Sequence, residues 1–361
     1  MPARISRIQT VALLTSAQWT TLDRHFSALQ AGYKMGAVKE EALRDAFRAF
    51  YTTDPELAAK YDAWITAYPR SYVARLARGI YYKRVGMDRR GRAYIGATSN
   101  TQIAGMQAAF VKAEADLQAS AALDDKPVLS YAHAIDIAAY EGDPDGVREL
   151  LDRALQVDPN DMVAREKFIA FLAPRWGGDL SKMHAFIAES ARAGLSPARL
   201  NQLTGEILSE QAHMAEEEHD YPTAEQDYRQ ALALGDSSCA NCFAGLLLNE
   251  EKFTQAIPVL SQALDDDPDD TGMRANRAHA YLTTGKFHEA LADLAIGADE
   301  GDAYSQGELG RLNMQGIPGV LEPDPQTGIE WLKKSAAQGN EAAIHNLQIA
   351  QQMVGYAAKP Q

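Results

Sequence analysis

Two thiols at helical spacing, Cys239-Ala-Asn-Cys242 behind Ser237-Ser238, are the side chains of this sequence best suited by type and spacing to do chemistry. A helix N-terminus beside them would lower a thiol pKa and create a nucleophile or redox centre. A zinc site needs four ligands, and the chain has only 2 cysteines, so His213 and His219 would have to complete it through packing. Both thiols fall in the first helix of a helix hairpin, where small apolar residues pack, which makes core packing the favoured reading and leaves metal and cofactor expected to be none. Asp265-Asp-Asp-Pro-Asp-Asp270 invites a calcium reading from Asp267, but the twelfth position is Ala278 where a bidentate glutamate is required. A solvated turn is the simpler account.

No further catalytic constellation is present. His288-Glu289 lacks a second histidine at metalloprotease spacing, and there is neither a phosphate-binding Gly-x4-Gly-Lys nor a Gly-x-Ser-x-Gly elbow. The expectation is therefore no enzyme and no catalytic residue. Binding chemistry is better represented. Lys83, Arg84, Arg89, Arg90 and Arg92 fall within ten residues, with Tyr94 beside them, running into a stretch from Val85 to Asn100 where periodicity fails around Gly86, Gly91 and Gly96. Irregular segments of this length in helical proteins are often functional. The arginines would either pair with neighbouring carboxylates or meet an acidic partner. Pro174-Arg-Trp-Gly-Gly178 poses the same choice: Arg175 and Trp176 are a protruding anchor, or the tryptophan folds under the glycine turn.

The formal charge of −14 repels nucleic acid and anionic lipid, so neither is an expected partner, whereas a protein or peptide is. Two local cysteines suit a reducing compartment. The apolar run Val11-Ala-Leu-Leu14 is too short for a signal peptide, and no stretch approaches the roughly 20 apolar residues of a spanning helix. A cytoplasmic location is the resulting expectation.

The elements that must position these residues read as helices. Trp19, Leu22, Phe26 and Leu29 form one amphipathic stripe, and Leu43, Ala46, Phe47 and Phe50 another. Thr53-Asp54-Pro55 and Ser71 start further helices. Helical pattern resumes near Thr101, then pairs at about 127–141 with 143–157 and 160–172 with 179–193. Pro197 opens a long helix. Beyond it, Ala244, Phe253, Ala256 and Leu260 recur 34 positions later as Ala278, Phe287, Ala290 and Leu294 (278 − 244 = 34). This period and these types resemble the tetratricopeptide repeat, in which each helix hairpin buries its apolar face against the next. Some members of that class clamp a carboxylate with Lys and Asn on first helices. The matching positions here hold Asn241 and Gly245, then Ala275 and His279, so that clamp is unsupported, and Asn241, Asn276 and His279 stand as polar candidates of the repeat face.

After Gly301 the register changes. Leu309-Gly310, Gly316, Gly319, Asp324-Pro325, Trp331 and Gly339 resemble the Sel-1-like repeat, a relative with a glycine-bearing turn inside its hairpin. Earlier in the chain, Leu29-Gln30, Trp64, Tyr68-Pro-Arg-Ser71, Ala77-Arg78-Gly79, Arg90-Gly91, Tyr94 and Leu172-Ala-Pro-Arg-Trp-Gly-Gly178 occur in one order. Together they resemble a bacterial helical-repeat family catalogued only as a domain of unknown function. That family tends to carry an aromatic before its Arg-Gly, which the run from Arg84 to Arg90 lacks. The expected architecture is an all-α right-handed superhelix of antiparallel hairpins, with a divergent domain over 1–195 followed by tetratricopeptide and Sel-1-like repeats over 196–361. The expected function is a non-catalytic scaffold or adaptor. An immunity protein that neutralises a toxin, and a thiol- or metal-dependent enzyme at Cys239 and Cys242, are the alternatives.

Overall fold

A computed structural model describes residues 3–91 and 97–357, with side chains of the last helix through 351. Arg92 and Tyr94 lie outside the described residues. Contacts divide the chain after Glu210. The first unit is built from α1 (Arg7–Thr15), α2 (Trp19–Lys34), α3 (Glu40–Phe47), α4 (Ala58–Ala67), α5 (Tyr72–Arg90), α6 (Asn100–Ala121), α7 (Val128–Glu141), α8 (Pro144–Val157), α9 (Met162–Phe171), α10 (Leu180–Arg192) and α11 (Pro197–Glu217), within which the division falls. The second holds α12 (Tyr221–Ala233), α13 (Ala240–Asn249), α14 (Phe253–Asp266), α15 (Thr271–Thr283), α16 (Phe287–Asp299), α17 (Ala303–Gln315), α18 (Pro325–Ala337) and α19 (Glu341–Ala357). Among the described residues there is no strand, only an isolated bridge between Ile317 and Leu321, and no helix is long and apolar enough to cross a membrane.

In the first unit the two amphipathic stripes meet as an aromatic core. Phe26 lies 5.0 Å from Phe47 and 4.7 Å from Phe50, and Phe50 continues the cluster to Tyr61 and Trp64. Edge and tilted ring pairs of this kind add to simple area burial. The next layer corrects the expectation of an irregular connection from Val85 to Asn100. Helix α5 continues to Arg90 and ends at Gly91, whose φ of 74° is left-handed territory. Gly86 is no turn former. A Cβ at that position would come within 2.5 Å of the Phe110 ring, so its absence lets α5 and α6 touch. Asp116, buried on α6, receives a bidentate Arg78 at 2.6 and 2.8 Å and Arg75 at 3.1 Å, which fastens the hairpin electrostatically. At its mouth Gln102 completes a capping box with Ser99 and donates to the Arg90 carbonyl at 3.1 Å.

Helix α9 starts at an acidic pair. Asp161 accepts from the Ala164 amide at 2.8 Å, and Glu40, from the start of α3, accepts from Met162 and Val163 at 3.1 and 2.9 Å. Carboxylates suit a helix N-terminus. Two of them in one buried place do not, and burial first, then the Glu40 charge, holds the Asp161 carboxyl well above its ordinary range. Nearby, buried Arg165 donates to the Asp161 and Pro159 carbonyls at 2.7 and 2.8 Å.

The second unit follows the 34-residue period closely. Ala244, Ala256, Leu260, Ala278, Ala290 and Leu294 are all buried, and Phe253 and Phe287 each open the second helix of a hairpin. Buried Asp293 takes Arg277 in a bidentate pair at 2.7 and 2.8 Å, joining α15 to α16. In the last full hairpin a Cβ on Gly310 would lie 2.7 Å from Leu332, so glycine brings α17 against α18 as the Sel-1-like pattern predicts.

Candidate functional site

Helix α7 is largely apolar and, apart from Ser130, Tyr131 and the terminal Glu141, carries its polar groups on one line. His133, Asp136 and Tyr140 stand at i, i+3 and i+7, hence on one face. Around them the first unit collects cations. Lys83, only 3% exposed, reaches from α5 to His133 Nδ1 at 2.8 Å and to Asp136 at 2.5 Å, while Lys167 from α9 takes the other Asp136 oxygen at 3.2 Å. Burial would push the Asp136 carboxyl up, but the charges of Lys167 and Lys83 more than offset it and hold the group well below its ordinary range. Burial, and then Lys83, push His133 down to about 3, so its Nδ1 is an acceptor for the Lys83 ammonium at neutral pH. The Asp136 charge holds Lys167 up.

One carboxylate thus serves two ammonium groups. Beside them the Arg84 guanidinium lies over the Tyr51 ring at 5.4 Å, and Lys83 sits 5.7 Å from the same ring. Arg84 Nε is buried without a hydrogen-bond acceptor. Further along, Arg90 lies over Tyr140 at 5.6 Å, and Tyr140 meets the edge of Trp176 at 5.2 Å. Trp176 belongs to a short turn at Pro174–Trp176 closed by Gly177 at φ 84°, and it is 39% exposed. The turn therefore presents the tryptophan against Tyr140 instead of folding over it. The result is a positively charged, aromatic surface in an acidic protein, suited to recognising carboxylates through charge-assisted hydrogen bonds, with the rings orienting its own arginines by cation–π contact.

The candidate residues are only partly brought together. Arg90 and Trp176 meet through Tyr140. Arg89 instead packs over Gly105 and donates to its carbonyl at 3.4 Å, and Arg175 is held at 3.3 Å by buried Glu210. In the second unit Asn241 is exposed on α13, and Asn276 and His279 are exposed on α15. His279 packs edge-on against Phe253 at 5.5 Å with the Tyr304 hydroxyl 3.4 Å from its Nδ1. Tyr51, His133, Asp136, Tyr140 and Lys167 escaped the sequence reading. The detectable signal was the i, i+3, i+7 line of polar and aromatic residues on a largely apolar helix.

The thiols separate. Cys239, in a short turn at Ser237–Cys239, is buried with Sγ 3.2 Å from the Asp236 carbonyl, whereas Cys242 on α13 is half-buried. Among the described residues no group of three or more His, Cys, Asp or Glu could hold a metal. The acidic run ends as turn and cap: Asp270 caps α15 through the Met273 amide at 2.9 Å.

Comparison with known proteins bears on the fold. The sequence matches the family described as "Domain of unknown function (DUF4034)" over residues 6–154 and 145–208, and a tetratricopeptide repeat over 247–305. No curated protein matches at a significant level. Among solved structures, a protective antigen of uropathogenic Escherichia coli displaying an SLR fold is similar at 15% identity and a TM-score of 0.34, over 95% of this chain and 82% of that one. Yeast Tom70 is similar at 14% identity and a TM-score of 0.38, over 88% of this chain and 64% of that one. The Cut9–Hcn1 hetero-tetramer of the APC/C is similar at 15% identity and a TM-score of 0.32, over 96% of this chain and 67% of that one.

Proposed function

The chain belongs to the DUF4034 family, with tetratricopeptide sequence beyond the family's span, and we propose that it is a non-catalytic interaction scaffold whose first unit receives an acidic segment of a partner protein. The observation that carries this reading is the convergence of Arg90, Tyr140 and Trp176 from α5, α7 and the turn before α10 onto one surface. Tryptophan, tyrosine and arginine are the types that dominate binding energy at protein interfaces. The excess of Lys83, Lys167 and Arg84 over Asp136 supplies the matching charge. In a molecule of −14, such a local patch selects an acidic segment and sets its orientation.

The test is a Trp176→Ala, Arg90→Ala double variant of the full chain. A partner isolated by affinity capture and identified should bind the double variant at least about tenfold more weakly, since each anchor of this kind contributes more than 1 kcal/mol. Affinity for the unaltered chain should fall with added salt. An unchanged affinity, or a loss that merely tracks a lower melting temperature, refutes the reading.

A further inference from the structure

A second place in the first unit, separate from the α7 surface, has the makings of a ligand pocket. Ser27, Gln30, Ala31, Lys34 and Met35 of α2, Tyr72 at the start of α5 and Asp124 in the turn before α7 line a cavity of about 260 Å³. Pockets for drug-sized ligands run from roughly 300 Å³ upward, so this one suits a single side chain or a small amine.

Its chemistry is set by Gln30, which is 3% exposed. The Gln30 amide nitrogen donates to Asp124 Oδ1 at 3.1 Å and to the Lys126 carbonyl at 2.9 Å. Both partners are acceptors, so the amide cannot be flipped, and its oxygen is fixed on the other side. That oxygen is buried with no donor. A buried acceptor left unmade costs on the order of 1–3 kcal/mol. Tyr72 offers a second buried oxygen: its hydroxyl has Ser130 as polar neighbour and keeps capacity to accept a further hydrogen bond. Charge points the same way. Asp124 and Asp125 share one cation, Lys34, whose ammonium stands 3.4 Å from Asp124 Oδ2 and much closer to Asp125, while Lys126 is committed to Asp158 at 2.8 Å. One negative charge remains uncompensated, and Lys34 is one-third exposed and can stay on Asp125 when another cation arrives.

We infer that this cavity binds the ammonium group of an unbranched alkyl chain, donating hydrogen bonds to Gln30 Oε1, Tyr72 Oη and Asp124 Oδ2, with Ala31 and Met35 against the methylenes. Two sources carry that group, a lysine side chain of a partner protein and a free polyamine. A second donor-rich cation would not fit without displacing Lys34, so the site takes one ammonium.

The test uses the full chain and three probes: n-butylamine hydrochloride, spermidine, and a short glycine-flanked lysine peptide blocked at both ends. The Gln30 side-chain amide resonances are followed by NMR, with sodium chloride at equal ionic strength as control. Butylamine should shift them saturably and sodium chloride should not. Asp124→Asn should weaken binding at least about tenfold, as loss of a charge-assisted contact does. Tyr72→Phe should weaken it by a few-fold, and Lys34→Ala, which removes the competing ammonium, should tighten it. The tighter of spermidine and the lysine peptide identifies the source. Shifts that sodium chloride reproduces, or that survive in Asp124→Asn, overturn the inference. So does a Lys34→Ala variant that binds no better. None of these outcomes depends on Arg90, Tyr140 or Trp176, so the two proposals stand or fall separately.

Discussion

Replacing Asp161 by asparagine should change how the stability of the first unit depends on pH. Asp161 is fully buried at the start of α9 and faces the Glu40 charge, so its carboxyl is held well above the ordinary range by burial first and by Glu40 second. The sign follows from proton linkage. Below the ordinary carboxyl range both the folded and the unfolded chain carry the proton, and its contribution is fully present. As pH rises past that range the unfolded chain releases the proton while the folded chain keeps it, so stability falls until the folded group also ionises. Over that window the slope is about 1.4 kcal/mol lost per pH unit for one proton. Asparagine retains the oxygen that accepts from Ala164 at 2.8 Å, serves equally well as a cap, and can donate to Glu40 without ionising. Urea unfolding at steps from about pH 4 to about pH 8 measures the difference. Trp19, Trp64 and Trp176 lie in the first unit, and Trp331→Phe silences the other, so fluorescence reports the relevant part. Asp161→Asn should match the unaltered chain at the acid end and become progressively more stable than it as pH rises. Parallel profiles across the range would refute the reasoning.

Other perturbations have defined outcomes. Gly86→Ala, which sets a methyl 2.5 Å from the Phe110 ring, should destabilise the first unit by about 1–3 kcal/mol in the same urea assay, as overpacking does. His133, pushed down to about 3, should stay neutral while the unfolded chain protonates, so stability should fall as pH drops below about 6.5, and His133→Gln should flatten that fall. Removing the buried acceptor in Asp293→Asn should cost the second unit about 1–3 kcal/mol, because Arg277 loses its bidentate partner. Cys242, half-buried, should react with a thiol reagent faster than buried Cys239, as mass spectrometry of partially labelled protein would resolve.

Periodicity made the second unit legible because alanines and leucines at 34-residue spacing have no role but packing, and those positions are the buried ones. Glycine misled between Val85 and Gly91. In sequence, Gly86 and Gly91 both look like breaks, yet one is a contact with Phe110 inside a helix and only the other ends it. Helix contact is a tertiary property that local spacing does not encode. The α7 surface was half visible. Arg90 and Trp176 stood out by type, but Tyr140, which joins them, resembled any other helical tyrosine, and nothing in the basic run singled out Lys83 as the member buried on Asp136. Pairings across fifty residues of sequence, such as Lys83 with His133, become apparent only when the helices are side by side.

Gln102 fastens the end of α5 to the start of α6 through its own amide, accepting at Ser99 and donating at Arg90. The two helix ends are thus tied to each other by one side chain, beyond the Arg78–Asp116 pair further along the hairpin. The same amide therefore also holds the residue that stands over Tyr140. Capping and recognition are coupled at this hairpin: a change at Gln102 would disturb the start of α6 and the placement of Arg90 together.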